Sequence, residues 1–393
     1  MQNKLPLEGI RTLEFTHAVL GPSTGMYLAD FGAEVIKIEP APDGDPTRRL
    51  KGFGMGFSPF TNRNKKSLAV NLKTEEGKAV VHKLLATADV LIENFGPGTM
   101  DRLGFGYDTL KEQYPQLIYC TLKGFMPGPY EKRMALDEVV QMMSGLAYMT
   151  GRPGDPLRAG ASVVDIMTGM NGVIGVLLAL MQRDDSGNGQ LVKSTLYETA
   201  VFLVGQHMAY AAVSGQTVPP MPARVSAWGI YHQFNVANEE RVFIGVTSDK
   251  QWARFCAAFG REDWLEDERI GTNNGRVEQQ VWLLPAIQEM VGDMPKDEVL
   301  ARCEEANLPF SPIARPEDMF DDAQLNEGGS LLETTLPNGR KTKLPKIAIR
   351  LGEEAFDIRN DAPEIGEQTA DILAELGYSA EEIEKLKEEE IIK

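Results

Sequence analysis

The sequence predicts an α/β fold: a large doubly wound domain joined to a smaller α+β domain. Three observations predict it. Short strand-like runs alternate with amphipathic helices over roughly the first 125 residues. Helix-sized apolar runs follow, up to a Pro- and Ser-rich stretch near 215–227. Beyond that stretch the texture changes to a hairpin and short helices. At 393 residues the chain is also longer than one ordinary core requires.

In order, "RTLEFT" reads as a strand. "GPSTGMYLADFG" reads as a helix, with Pro22 suited to its first turn and Gly32 to its stop. "AEVIKIEP" is a second strand, so about 30 residues form a βαβ unit. Helix "EEGKAVVHKLLATA", strand "DVLIENF", helix "YDTLKEQYP" and strand "LIYCTLKGF" continue the alternation. The spacing then predicts helices over "DEVVQMMSGLAYM", "VVDIMTGMNGVIGVLLALMQRDD" and "QLVKSTLYETAVFLVGQHMAYAAVSG". The small domain spans 228–325, with a hairpin around "NEE". The tail predicts strands in "PNGRKTKLPKIAIRL" and two terminal helices.

Composition narrows the function. Apolar content is 42% and net charge is −17, which argues against a nucleic-acid partner but leaves room for a local basic pocket. Cys120, Cys256 and Cys303 are scattered, with no CxxC or Cys/His cluster, so neither a disulfide framework nor a metal site is expected. That fits a reducing cytoplasm. No signal peptide is visible, and the longest apolar stretch, "GVIGVLLALM", reads as too short to span a membrane.

Three places hold candidate chemistry. The first βα turn, "FTHAVLGPSTG", lies where open α/β sheets bind ligands, but it lacks GxGxxG. His17 there is a ligand contact or a satisfied loop histidine; Glu39 mimics a ribose-binding acid without the glycines that would give it weight. In "IENFGPGTMDRLGFGY", Asn94 and Phe95 precede a Gly-Pro-Gly turn and Arg102, a pattern suited to an anion or simply to a turn. Lys65, Lys66 and Lys73 add positive charge that binds phosphate or is solvated. Third, Asp165 stands at a helix start with apolar flanks and glycines at 169, 172 and 175 behind it. It serves the helix dipole, or it is a shielded carboxylate nucleophile beside a face open to close approach.

At these residues the chain resembles the family III CoA-transferases, the group that includes carnitine, bile-acid and formyl-CoA:oxalate CoA-transferases and α-methylacyl-CoA racemases. "LEGIRTLEFTHAVLGPSTGMYLADFGAEVIKIEP" with "GDPTR", then "NRNKKSLAVNLKTEEGK", "ADVLIENFGPGTMDRLGFGYDTL", "YPQLIYCTLKGF", "GNGQLVKSTLYETA" and "LAELGYSAEEIEKLKEEEII" follow the family's blocks nearly end to end. The resemblance implies a large Rossmann-like domain from 1–215 that the chain rejoins over 326–393, and an intertwined homodimer. Active sites would lie between the large domain of one subunit and the small domain of the other.

It also implies a covalent route through Asp165: attack on an acyl-CoA gives a mixed anhydride, CoA thiolate converts it to an aspartyl-CoA thioester, and an acceptor acid reverses the sequence. Coenzyme A is then a substrate, with no tightly bound cofactor; the partners are acyl-CoA and a free carboxylic acid. By the same resemblance His17, Ala18, Lys73, Asn94, Phe95, Thr99, Arg102 and Leu103 contact CoA.

Departures shape the expected specificity. Val19 replaces a glutamine of the oxalate enzymes, Pro40 an arginine, and Met134 a lysine (with Lys132 and Arg133 adjacent); the tetraglycine lid is missing. The racemases' histidine position is Leu136, before Asp137. The readings are therefore a CoA-transferase first, an acyl-CoA racemase or isomerase second, and a CoA-binding protein without turnover third. Short dicarboxylates such as succinate, hydroxylated or branched acids and carnitine-like acids stay open; a small dicarboxylate is the expectation, with Arg48, Arg49 and Arg224 either its partners or plain surface residues.

Overall fold

Six short strands assemble into one sheet in the computed structural model, which describes residues 4–224, 226–352 and 354–393. Val225, inside the expected linker, lies outside the described residues, as do the first three residues. The strands are β1 (Arg11–Phe15), β2 (Glu34–Glu39), β3 (Lys65–Ala69), β4 (Val90–Glu93), β5 (Ile118–Lys123) and β6 (Leu191–Thr195). They run parallel in the order β3-β2-β1-β4-β5-β6. This is the doubly wound order, and it places a switch point between β1 and β4, where a crevice opens at the carboxyl ends of the strands.

The helices of this unit are α1 (Leu20–Asp30), α2 (Phe57–Thr61), α3 (Glu75–Leu85), α4 (Thr99–Leu103), α5 (Tyr107–Gln113), α6 (Asp137–Ser144), α7 (Leu146–Thr150), α8 (Val163–Ser186), α9 (Leu196–Leu203) and α10 (Gly205–Ser214). Two apolar cores line the two faces of the sheet. All of α1 except Tyr27 is buried, because it is sandwiched between the sheet and α8.

The glycine stripe of α8 explains that packing. A Cβ on Gly169 would meet the Leu20 carbonyl oxygen at 3.0 Å, and one on Gly172 would meet Leu122 at 2.9 Å. One on Gly175 would lie 2.5 Å from Val192. The stripe therefore faces α1 and the sheet, and Thr24 Oγ1 donates to the Gly169 carbonyl at 3.2 Å.

Four expectations are corrected. "QLVKST" is not helical: Leu191–Thr195 forms the sixth strand, because its β-branched residues pair with β5 before the helices begin. The run expected as one helix from Asp137 breaks at Gly145, which adopts φ +88°. "KKSLA" is strand β3 rather than a basic surface segment. The apolar stretch near 175 belongs to a 24-residue helix, long and apolar enough by composition to cross a membrane, but its glycine face is packed in the core.

The chain divides into two compact units, residues 1–222 with 326–393, and residues 223–325. The second unit has its own core around Trp252, Phe255 and Ile287. Its three-stranded antiparallel sheet joins Ile230–Asn235, Arg241–Val246 and Phe310–Pro312. The chain returns to the first unit through an antiparallel hairpin, Leu331–Thr335 with Lys341–Pro345, and ends in helices Thr369–Glu375 and Ala380–Glu388.

Beneath α1 the sheet buries charge. Glu14 on β1 pairs with Lys65 Nζ at 2.7 Å and accepts from Lys37 Nζ at 3.4 Å, and all three side chains are fully buried. Gly25 makes room for them: a Cβ there would stand 1.7 Å from Glu14 Oε2. Desolvation works against both ammoniums. It brings Lys65 down to about 8, whereas Lys37 is held above its ordinary range because Glu14, Asp45 and Glu39 all face it. Removing the shared acid leaves two buried lysines in mutual repulsion. Glu14→Gln is expected to cost about 3–5 kcal/mol of unfolding free energy, read from urea denaturation monitored by circular dichroism. A change within about 0.5 kcal/mol would refute the assigned role of the cluster.

Candidate active site

The first βα turn is built from the buried charge upward. Lys37 Nζ donates to the Thr16 carbonyl at 2.8 Å and pairs with Asp45 at 3.1 Å. Asp45 accepts from the Thr47 N–H at 2.8 Å, and Thr47 Oγ1 accepts from the Ala18 N–H at 2.8 Å. The "GDPTR" segment thereby holds Ala18 at φ +60°, a left-handed conformation that costs an alanine roughly 1–2 kcal/mol. Arg48, the last residue of that segment, clasps Glu39 through two hydrogen bonds of 2.7 and 2.6 Å. Glu39 is thus a structural acid, and Arg48 has its carboxylate partner inside the fold. Arg49 donates to the Asp43 carbonyl.

The second wall comes from the end of β4. His17 N–H donates to Asn94 Oδ1 at 3.0 Å, and Asn94 Nδ2 donates back to the His17 carbonyl at 2.9 Å. Phe95 meets the His17 ring edge-on, with centroids 5.7 Å apart. The backbone of Phe95 is held at both ends, its N–H by Glu93 and its carbonyl by Lys123, which also pairs with Glu93 at 2.6 Å. His17 stays open to the cleft, yet the walls desolvate its ring enough to lower its pKa against the opposing pull of Asp45.

The third wall is the start of α8. Ser162 occupies the cap position without a side-chain cap bond. The capping oxygen comes from α6 instead: Asp137 Oδ2 accepts from the N–H groups of Val164 at 2.9 Å and Asp165 at 3.0 Å. Asp165 is therefore not the cap. Half-buried in the cleft, its carboxyl is pushed up to about 7, first by desolvation, then by the neighbouring charge of Asp137, with Arg158 pulling the other way.

These walls enclose a cleft of about 540 Å³ at the switch point, lined by His17, Ala18, Asn94, Phe95 and Asp165 among others. Thr99 and Arg102 stand beside it on α4, where Arg102 Nη2 donates to Thr99 Oγ1 at 2.8 Å, behind the cleft residue Gly98. Leu103 packs into the core on that side, and Lys73 is exposed on the loop after β3; neither lines the cleft. Lys65 is buried on Glu14 and Lys66 pairs with Glu34.

The structure adds residues to this site, of which the sequence had named Arg133, beside Met134. Phe53 and Phe57 line the cleft beside Val19. Lys123, Arg133 and Arg158 bring positive charge to it. Lys123 and Arg158 each have carboxylate partners. Arg133 lies over the Tyr130 ring at 5.0 Å and forms no ion pair among the described residues. The signal that could have found Lys123 was its position at the carboxyl end of a strand. Among the described residues no group of three or more acidic, histidine or cysteine side chains could hold a metal ion.

The doubly wound sheet and the cleft at its strand ends, with the half-buried Asp165 in it, define an α/β protein of the open-sheet class. The chain belongs to CoA-transferase family III, whose profile matches residues 7–369. It is 34% identical to a succinate–glutarate CoA-transferase of Agrobacterium fabrum, over 95% of this chain and 96% of that one. It is 32% identical to a formyl-CoA:oxalate CoA-transferase of Streptomyces avermitilis, over 98% and 99%. A solved CaiB/BaiF family protein from Brucella suis superposes with a TM-score of 0.86 at 31% identity, covering 95% of this chain and all of that one.

The raised pKa of Asp165 carries a stability cost of definite sign. Between about pH 4 and 7 the folded chain holds a proton that the unfolded chain has lost, so native stability falls as pH rises through that window. Asp165→Asn is expected to stabilise the protein at pH 8 by about 1–3 kcal/mol, with the gain vanishing below about pH 4. Thermal unfolding of both proteins across that pH range measures it. Equal stability at pH 8 would mean the carboxylate is not strained in the fold.

Proposed function

We propose that the protein is an acyl-CoA:carboxylic acid CoA-transferase that works through covalent intermediates on Asp165. The carrying observation is the Asp165 carboxylate itself, half-buried in the cleft and raised to about 7, with no hydrogen bond to its carboxylate oxygens among the described residues. A carboxylate released from dipole and partners is a better nucleophile than a solvated one.

Its oxygen attacks the thioester carbonyl; the C–S bond breaks and CoA leaves as thiolate. The thiolate attacks the aspartyl carbonyl of the mixed anhydride and expels the donor acid, leaving an aspartyl-CoA thioester. An acceptor carboxylate then runs the two steps backward. No net proton transfer is needed. The first turn of α1 starts without a side-chain cap at the cleft wall, and its N–H groups suit the developing oxyanion.

A short dicarboxylate is the proposed acid. Support comes from the names of the relatives and from Arg133, which joins Arg224 as a proposed partner of the distal carboxylate in place of Arg48, held by Glu39, and Arg49, held by the Asp43 carbonyl. The second reading, α-proton transfer, gains one observation: His17 shares the cleft with Asp165, although Leu136 stands where the racemases of the family carry their histidine.

We also propose the interlocked homodimer. Met170, Ile174, Leu178 and Met181 form one exposed stripe on the outer face of α8, and Phe202 on α9 is 80% exposed. A contiguous apolar face of this kind marks an interaction surface. Three buried, free cysteines suit the proposed cytoplasmic setting.

A single turnover with acyl-CoA, digestion and mass spectrometry should find CoA attached to the peptide holding Asp165, and transfer should fall about 10⁴-fold or more in Asp165→Ala. Full transfer by that variant would sink the mechanism. Incorporation of solvent deuterium at the α-carbon without an acceptor acid would favour the second reading instead. For the assembly, sedimentation equilibrium should give twice the 43.3 kDa chain mass, and Ile174→Glu should weaken the association; a monomer at micromolar concentration would contradict the dimer.

A further inference from the structure

The Asp165 carboxylate is set by a neighbour that never needs to touch substrate. Asp137 on α6 is buried, and its two oxygens are fully engaged: Oδ2 takes both α8 N–H groups and Oδ1 accepts from Gln141 Nε2 at 2.5 Å. Gln141 in turn accepts from the Ala159 N–H at 2.9 Å. Arg158 closes the arrangement. It stands 3.6 Å from Asp137 and 3.7 Å from Glu138, and it donates to the carbonyls of Ala159 and Ala161. The segment leading into α8 is therefore fastened to α6 at several points, and the helix N-terminus is already occupied by an anion.

Resting on the proposed function, we infer that Asp137 is the positioning residue of the nucleophile, with Arg158 as its restraint: Asp137 withholds the first-turn N–H groups of α8 from Asp165 and turns a negative charge toward it. An aspartate at the third helical position would ordinarily be stabilised by the dipole and by those same N–H groups. Here both are used by Asp137, so the Asp165 oxygens remain free for attack. Arg158 keeps the opposing charge from shutting off ionisation. Other titratable or charged groups that share the cleft are His17 from the first turn, Lys123 from β5, Glu131 and Arg133 from the following segment, Glu138 from α6 and Lys193 from β6. Among the described residues, Asp137 and Arg158 are the charges that stand beside desolvation as causes of the Asp165 shift.

The test is the pH dependence of adduct formation on Asp165 in single turnover, read by mass spectrometry. The wild-type protein should show an acidic limb near pH 7. Asp137→Asn keeps the shape and one capping oxygen but removes the charge. Its limb should move down by about one pH unit or more, with the plateau rate falling several-fold as the nucleophile becomes less basic. A limb that stays where it was, whatever happens to the rate, would reduce Asp137 to a plain helix cap and overturn the inference. If circular dichroism shows that Asp137→Asn does not fold, Arg158→Gln carries the test with the opposite sign: its limb should move up, and an unmoved limb overturns the inference. Absence of any adduct on Asp165 in the wild-type protein would instead refute the function on which this rests.

Discussion

The structure of the site depends on a group of charges that no solvent reaches. Glu14, Lys37 and Lys65 sit under α1, tied to Asp45 and to the carbonyls of Thr16 and Pro22. Each ion alone would be costly to bury, and the group is tolerable because opposite charges face one another, Lys65 against Glu14 and Lys37 against Asp45. What the arrangement fixes is direction. Lys37 links the end of β1 to Asp45, Asp45 orders Thr47, and Thr47 holds the Ala18 N–H. The strained turn at the cleft is thus the last link of a chain that starts three strands deep in the sheet.

Much of this was legible in the sequence where local pattern governs. The βαβ alternation, the hairpin around Ala237–Glu239 and the two terminal helices follow from periodicity and turn residues. Asp165 and His17 were visible as residues at the right kind of place. Strand β3 was hidden because its lysines read as surface charge: Lys65 has an apolar stem, but its burial is decided by Glu14, fifty-one positions earlier in the chain. Strand β6 was hidden for another reason. It runs without a break into α9, so the change of period falls inside one apolar run.

The candidate site was less legible than the fold. "GDPTR" could be recognised as a block, but nothing in its composition says that Arg48 binds Glu39 rather than a substrate, or that Thr47 serves Ala18. Asp137 and Asp165 look alike in sequence, both acids at helix starts with apolar neighbours. Their different roles come from geometry: one carboxylate points along the axis of the neighbouring helix at its free N–H groups, and the other faces a cleft. A side chain's partner is a tertiary fact, and the residues that make this one span α6, α8 and the segment between them.

The glycine stripe on α8 has a consequence for how the site performs its work. Because Gly169, Gly172 and Gly175 let the helix lie directly on α1 and the sheet, Asp165 near its start and the strained turn at the start of α1 belong to one stiff body. Side chains of ordinary size would have left a layer able to shear. For the proposed reaction, such stiffness leaves Asp165 and the turn little rearranging to do between ground state and transition state, which keeps reorganisation energy low. Precision at the cleft is in this sense a property of three residues that never approach it.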